Sequence, residues 1–180
     1  MMNEQQKATD WADRAHSLFK AHRIAMIAFV PDGGLKRLIE LCQLDEAMRT
    51  VTLTTEEEGI AFAAGAFLGG KRAALLMQSS GVGNCLNMLS LPRLCNMPLL
   101  MLVTMRGEWG EFNPWQVPMG QNAQTLLEAS GVMVYRVDTL EDADPTIEAA
   151  TMQAFQSRCR VAVLLSQRLI GAKNFARGDK

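Results

Sequence analysis

Residues 50–84 read TVTLTTEEEGIAFAAGAFLGGKRAALLMQSSGVGN, and the way this run divides decides the fold. TVTLT (50–54) is short and rich in β-branched residues, while the segment from Glu56 to Gly69 has helical length and is built almost entirely from small and apolar residues. AALLMQ (73–78) is a second apolar run, and it stops at a serine and glycine turn. Two strands joined through a helix run parallel, with a right-handed crossover.

The alternation continues in both directions. Upstream, QQKATDWADRAHSLFKAH (5–22) has helical periodicity, IAMIAFV (24–30) is a β-rich run ending at PDGG, and a helix is expected at about 35–44. Downstream, a helix near 84–94 precedes the strand LLMLVTM (99–105), and the strands VMVYRV (132–137) and RVAVLLS (160–166) bracket a helix near 141–157. The pattern predicts a doubly wound α/β fold with a mainly parallel six-stranded sheet and helices on both faces. Ligands of such sheets bind outside the carboxyl ends of the strands. Four loops should therefore gather at one edge: PDGG (31–34), TEEE (55–58), QSSGVGN (78–84) and RGEWGEFNPWQVPMG (106–120).

Composition narrows the possibilities. The 180 residues contain no Pro-, Ser- or Gly-rich linker, so a single domain over 1–180 is expected, with its core at about 10–170. Lys and Arg number 18 against 19 Asp and Glu, a net charge of −1 that lacks the basic footprint required by nucleic acid or an anionic membrane. The run PLLMLVTM (98–105) falls far short of the roughly 20 apolar residues that cross a bilayer. Cys42, Cys85, Cys95 and Cys159 form no C-x-x-C pair and no secretory leader opens the chain, which fits a reducing cytoplasm.

The three adjacent carboxylates at 56–58 divide into roles. With Thr55 as N-cap, Glu58 completes a capping box, and acidic residues in a first turn are favoured by the helix dipole without any chemistry. The rest of the helix is unusual, because Gly59, Ala61, Ala63, Ala64, Gly65 and Ala66 leave it little side-chain volume, and each interior glycine costs about 1 kcal/mol relative to alanine. A subunit, another helix or a flat cofactor must approach its backbone. QSSGVGN, between strand and helix, can offer N–H groups to a polar ligand. It lacks the third glycine of G-x-G-x-x-G, and GAFLGGKR (65–72) departs from a P-loop at Arg72 and precedes a strand. A serine-hydrolase reading is poor, given the lack of G-x-S-x-G and the placement of His16 and His22 in or just after the first helix, and no metal-ligand cluster is visible.

In order and spacing, FVPDGGLKRLIE (29–40), TTEEEGIAFAAGAFLGG (54–70), MQSSGVGN (77–84) and MRGEWGEFNPWQVPMG (105–120) together resemble the pyrimidine-binding domain of thiamine-diphosphate-dependent 2-oxoacid decarboxylases, those acting on sulfopyruvate or phosphonopyruvate. The resemblance implies that Glu56, counted back from Gly65, is the catalytic glutamate that hydrogen-bonds N1′ of the aminopyrimidine and favours the imino tautomer, with Glu57 as the alternative register. It implies that Glu56, Gln78, Ser79, Ser80, Gly81 and Asn84 meet the cofactor. Arg106 is suited to clamping an anionic substrate, or equally to an ion pair with Glu108 or Glu111. Asp32 is a second active-site acid or an ordinary turn residue, and Gln116 and Trp115 are candidate pocket walls. The diphosphate-binding domain of such enzymes carries a G-D-G that is missing here, RGDK (177–180) having a different order. The resemblance thus implies a two-chain enzyme in which a beta chain holds most of the diphosphate and Mg²⁺, with the small-residue helix near that interface. The implied reaction is decarboxylation of a small anionic 2-oxoacid to an aldehyde, with a non-catalytic binding subunit of the same fold as the rival reading.

Overall fold

The computed structural model describes residues 4–172, and RGDK (177–180) lies outside them. Six strands, β1 (Ile24–Phe29), β2 (Arg49–Thr52), β3 (Arg72–Gln78), β4 (Leu99–Thr104), β5 (Met133–Val137) and β6 (Arg160–Leu165), form one sheet in the order β2-β1-β3-β4-β6-β5. All five pairings are parallel. Around the sheet lie α1 (Glu4–Ala21), α2 (Lys36–Leu44), α3 (Glu56–Leu68), α4 (Val82–Cys85), α5 (Ser90–Leu94), α6 (Val117–Ala129), α7 (Leu140–Gln156) and α8 (Gln167–Ile170).

Side chains alternate between the two faces of each strand. Leu76, Leu100, Leu102, Val161 and Val163 pack beneath Trp11, Phe19, Leu38 and Ile147 of α1, α2 and α7. Leu75, Met77, Met101, Val103 and Leu164 pack under Ile60, Val82, Ala123 and Leu127 of α3, α4 and α6. With both faces covered, a central strand needs no polar side, and β4 is buried at every residue. Each fully buried aliphatic side chain contributes about 1.5–3 kcal/mol.

α3 sits close to the sheet because Gly59 permits it: a Cβ there would overlap the Leu75 side chain. Glu58 caps the helix, accepting from the N–H groups of Thr54 at 2.9 Å and Thr55 at 3.5 Å. Gly65 differs, since a Cβ there meets nothing within 4 Å. The outer face of α3 is open and ends at Leu68, 74% exposed.

Two expectations are corrected. The helix expected near 84–94 is two short pieces, α4 and α5, because Pro92 has no N–H to close a turn onto Met88; turns such as Ser90 N–H to Asn87 O and Leu91 N–H to Met88 O fill the gap. The loop expected over 106–120 ends sooner. A 3₁₀ turn at Pro114–Gln116 leads into α6, with Pro118 in its first turn, where the missing N–H costs nothing. Gly120 is required there because a Cβ would collide with the Arg106 carbonyl.

The order in which strands are added reverses between β1 and β3, β2 lying outside β1 on one side and β4 beyond β3 on the other. The crevice of a doubly wound sheet opens at such a switch point.

Candidate functional site

Glu56 opens α3 with its side chain turned inward, and the residue is 8% exposed. Asn84 Nδ2, on α4, donates to Glu56 Oε2 at 2.8 Å. Gly81, in the 3₁₀ turn at Ser79–Gly81 after β3, is what lets the carboxyl sit so deep: a Cβ at 81 would overlap the Glu56 carboxyl group. These residues border a cavity of about 970 Å³ lined by Glu56, Ser80, Asn84, Trp115, Met119 and Leu126 among others. One end is polar and acidic; the opposite wall is apolar and carries Pro114, Trp115 and Pro118. Such a mixed cleft suits a flat ring with polar atoms on one edge.

The neighbouring polar cluster gathers at the switch point. Gln78 and Thr104 are aligned partners on β3 and β4, and both donate to Asp32 after β1, Gln78 Nε2 to Oδ1 at 2.8 Å and Thr104 Oγ1 to Oδ2 at 2.8 Å. The Gly34 N–H adds a third bond to Oδ2 at 2.9 Å. Ser80 Oγ donates to Gln78 Oε1 at 2.9 Å. Asp32 also lines two smaller hollows, of about 500 Å³ beside Lys36 and Glu40 and about 130 Å³ beside Arg106.

A third region is closed. Arg106 donates through Nε at 2.5 Å and Nη2 at 2.6 Å to the two oxygens of Glu111. Glu111 also accepts from the N–H groups of Gly107 and Asn113 and from Gln167 Nε2, at 3.2, 3.0 and 3.1 Å. The Arg106 hydrogen bonds, working against burial and helped by those N–H groups, hold the Glu111 carboxyl down to about 2, and Glu111 in turn raises Arg106. Gln167 is fully buried after β6; its Oε1 accepts from the N–H of Glu108 and of Trp109 at 3.0 Å each. Arg136 of β5 completes the knot by donating to Glu108 at 2.6 Å.

The four expected loops thus do meet at one edge, and Glu56, Gln78, Ser80, Gly81, Asn84 and Asp32 come together there. Three expectations change. Ser79 is fully buried, and its hydroxyl accepts from the Arg106 N–H at 3.0 Å, so it staples β3 to the loop after β4 and offers nothing to a ligand. Arg106 is 6% exposed with its fork closed on Glu111, so a bidentate substrate clamp gives way to the ion-pair reading, in a buried form. Gln116 does not line the cavity, although its Oε1 is buried without a partner among the described residues; Trp115, 84% exposed, is the wall residue. Glu57 is half-buried and does not line the cavity, which favours Glu56. Gln167 went unforeseen, though its position directly after β6 was a signal. Cys85 is no nucleophile, since burial pushes its thiol up to about 12.

No protein-family model matches the chain. The chain is 35% identical over 150 residues to sulfopyruvate decarboxylase subunit alpha of Methanocaldococcus jannaschii, an alignment covering 83% of this chain and 89% of that one. It is 32% identical to a sulfopyruvate decarboxylase of Methanosarcina acetivorans over 84% of this chain but only 39% of the relative. A phosphonopyruvate decarboxylase of Streptomyces viridochromogenes is 38% identical over 58% of this chain and 27% of its own length. Among solved structures, 2-oxoglutarate:ferredoxin oxidoreductase from Magnetococcus marinus superposes with a TM-score of 0.68 at 15% identity, over 89% of this chain and 29% of that one. That likeness confirms the fold class expected from the strand and helix order.

Proposed function

The chain belongs to the family of sulfopyruvate decarboxylase alpha subunits, and from that premise we propose that it is a single pyrimidine-binding domain, one chain of a two-chain thiamine-diphosphate-dependent enzyme. Its reaction is conversion of 3-sulfopyruvate to sulfoacetaldehyde and CO₂. The observation that carries this reading is the deep seat of Glu56, made possible by Gly81 and oriented by Asn84, at the wall of a cavity with an apolar face.

The residues present fit one half of the cofactor. Glu56, Ser80 and Asn84 offer hydrogen-bonding atoms to the edge of an aminopyrimidine, while Trp115, Met119 and Leu126 offer it an apolar bed. They do not fit the other half: the chain has no G-D-G, and among the described residues no group of three His, Cys, Asp or Glu could hold a metal. Relatives named as alpha subunits support a beta chain as the holder of the diphosphate and Mg²⁺, and the open face of α3, with Ala61 and Gly65 on its surface, suits the approach of that chain. The 39% share of the longer Methanosarcina relative is consistent with such a division. Four free cysteines suit a cytoplasmic location, and among the described residues no helix is long and apolar enough to cross a membrane.

When bound, thiamine diphosphate supplies the electron sink that decarboxylation of a 2-oxoacid requires. This chain contributes proton control and shape. Asn84 holds Glu56 Oε2, which leaves Oε1 to hold a proton against a ring nitrogen of the cofactor. Gly81 keeps the carboxyl packed against the turn, where few orientations remain open to it. The Pro114–Gln116 turn and α6 supply the apolar wall of the cavity, through Pro114, Trp115, Pro118 and Met119. Asp32 places a second carboxylate at the switch point. Arg106 acts by holding the loop after β4.

The test is CO₂ release from sulfopyruvate and from phosphonopyruvate with this chain, its beta partner, thiamine diphosphate and Mg²⁺. Turnover of sulfopyruvate that needs both chains is expected. Preference for phosphonopyruvate would move the assignment to that substrate, and turnover unchanged by Glu56→Gln would leave a binding subunit instead. Failure of the two chains to co-elute on gel filtration would count against the split enzyme.

A further inference from the structure

Ser80, Gln78, Asp32 and Thr104 form one hydrogen-bonded row across the carboxyl ends of β3, β1 and β4. From Ser80 to Gln78 to Asp32, and from Thr104 and Gly34 to Asp32, each proton points toward the Asp32 carboxylate. The hydroxyls of Ser80 and Thr104 can turn, donating or accepting as needed, whereas an amide has one donor end and one acceptor end. Gln78, together with the fixed Gly34 N–H, therefore sets the direction of the row, and Gln78 alone carries it on to Ser80. The row also joins separate spaces: Ser80 lines the large cavity beside Glu56, and Asp32 lines the two smaller hollows.

Building on the decarboxylase reading above, we propose that Gln78 is a positioning residue whose amide holds Asp32 as an acceptor-only carboxylate and turns the lone pairs of Ser80 toward the Glu56 cavity. On this row the Asp32 oxygens and the outward lone pairs of Ser80 receive hydrogen bonds. The row selects groups that carry a proton, such as an amine, a hydroxyl or a neutral acid, and turns away sulfonate and carboxylate oxygens. The anionic ends of the 2-oxoacid accordingly bind away from it. The charged groups facing the row are Glu56 on α3, which lines the large cavity together with Ser80; Lys36 and Glu40 on α2; and Arg106 after β4. Among the described residues, three of these four side chains line the hollows of Asp32, and Glu56 lines that of Ser80.

The deciding variants are Gln78→Glu and the exchange Gln78→Glu with Asp32→Asn. The single change keeps the length of the side chain and removes its donor, so the new carboxyl and Asp32 must share one proton to stay paired. A shared proton is held more firmly in the folded state, so stability from the pair is present at low pH and lost as pH rises. The expected results are an infrared band of a neutral carboxyl absent from the wild type, a melting temperature that falls relative to wild type as pH rises, and kcat/KM falling about tenfold per pH unit above the shared ionisation. The exchange restores a donor facing an acceptor with no extra proton. The band and the pH dependence of stability then disappear, while turnover stays low because the acceptor has moved from position 32 to position 78. A single variant with no new band and the wild-type pH profile would overturn the proposal, as would an exchange variant that behaves like the single one. If the wild-type complex turns over neither acid, the decarboxylase reading fails, and the infrared and melting experiments still decide the role of Gln78.

Discussion

Two carboxylates, Glu56 and Glu111, lie at the same edge of the sheet and have opposite surroundings. Glu111 accepts five hydrogen bonds, two of them from a buried guanidinium, and its ion pair is closed to solvent. Glu56 has Asn84 on one oxygen and an open cavity in front of it. A carboxylate whose lone pairs are all engaged can only hold structure together. One that is buried yet incompletely satisfied keeps capacity for a ligand, at a cost to the fold that its neighbours must offset.

Four changes break or sharpen this contrast. Glu56→Gln in the assembled enzyme should lower kcat by about 10²–10⁴ and shift unfolding by no more than about 0.5 kcal/mol, as steady-state kinetics and urea titration would show. Glu111→Ala should do the reverse. It strands a buried Arg106 charge and is expected to cost about 3–5 kcal/mol in urea unfolding. A third change, Gly81→Ala, tests both properties together: the added methyl collides with the Glu56 carboxyl, so a loss of about 1–3 kcal/mol in stability should accompany a collapse in turnover. The smallest effect belongs to Asn84→Ala, which frees Glu56 Oε2 and should cost about 1 kcal/mol, read as a several-fold loss in kcat/KM.

Acid titration separates the two carboxylates further. The folded Glu111 sits near 2 against an ordinary 4.5, so its contribution to stability is complete above about 4.5 and is lost as pH falls toward about 2. Wild type should lose stability over that window, and Glu111→Gln, already destabilised, should lose less within it. Equal slopes in a pH series of urea titrations would contradict the assignment.

Much of this was legible in the sequence, and the misses share a cause. All six strands lie within a residue or two of their expected bounds, because strands buried on both faces are continuous apolar runs that end at turns. Glu58 was legible as a cap because its partner is three residues away. α6 was hidden because Pro118 and Gly120 are loop residues by composition, whereas in the fold one occupies a helix first turn and the other fits against the Arg106 carbonyl. Arg106 was left open between substrate and ion pair, since local order could not tell which acid would reach it. Gln167 and Ser79 derive their roles from β6 and β3 lying on either side of β4, a fact of topology and not of spacing.

The loop from Gly107 to Asn113 has no strand beside it to pair with, yet the amide protons of Gly107, Glu108, Trp109 and Asn113 all end on the side chains of Glu111 and Gln167. Two side chains thus replace a missing ladder. In a hydrogen–deuterium exchange experiment this irregular segment should keep its protons with the patience of a sheet, and Gln167→Ala should release those of Glu108 and Trp109 together.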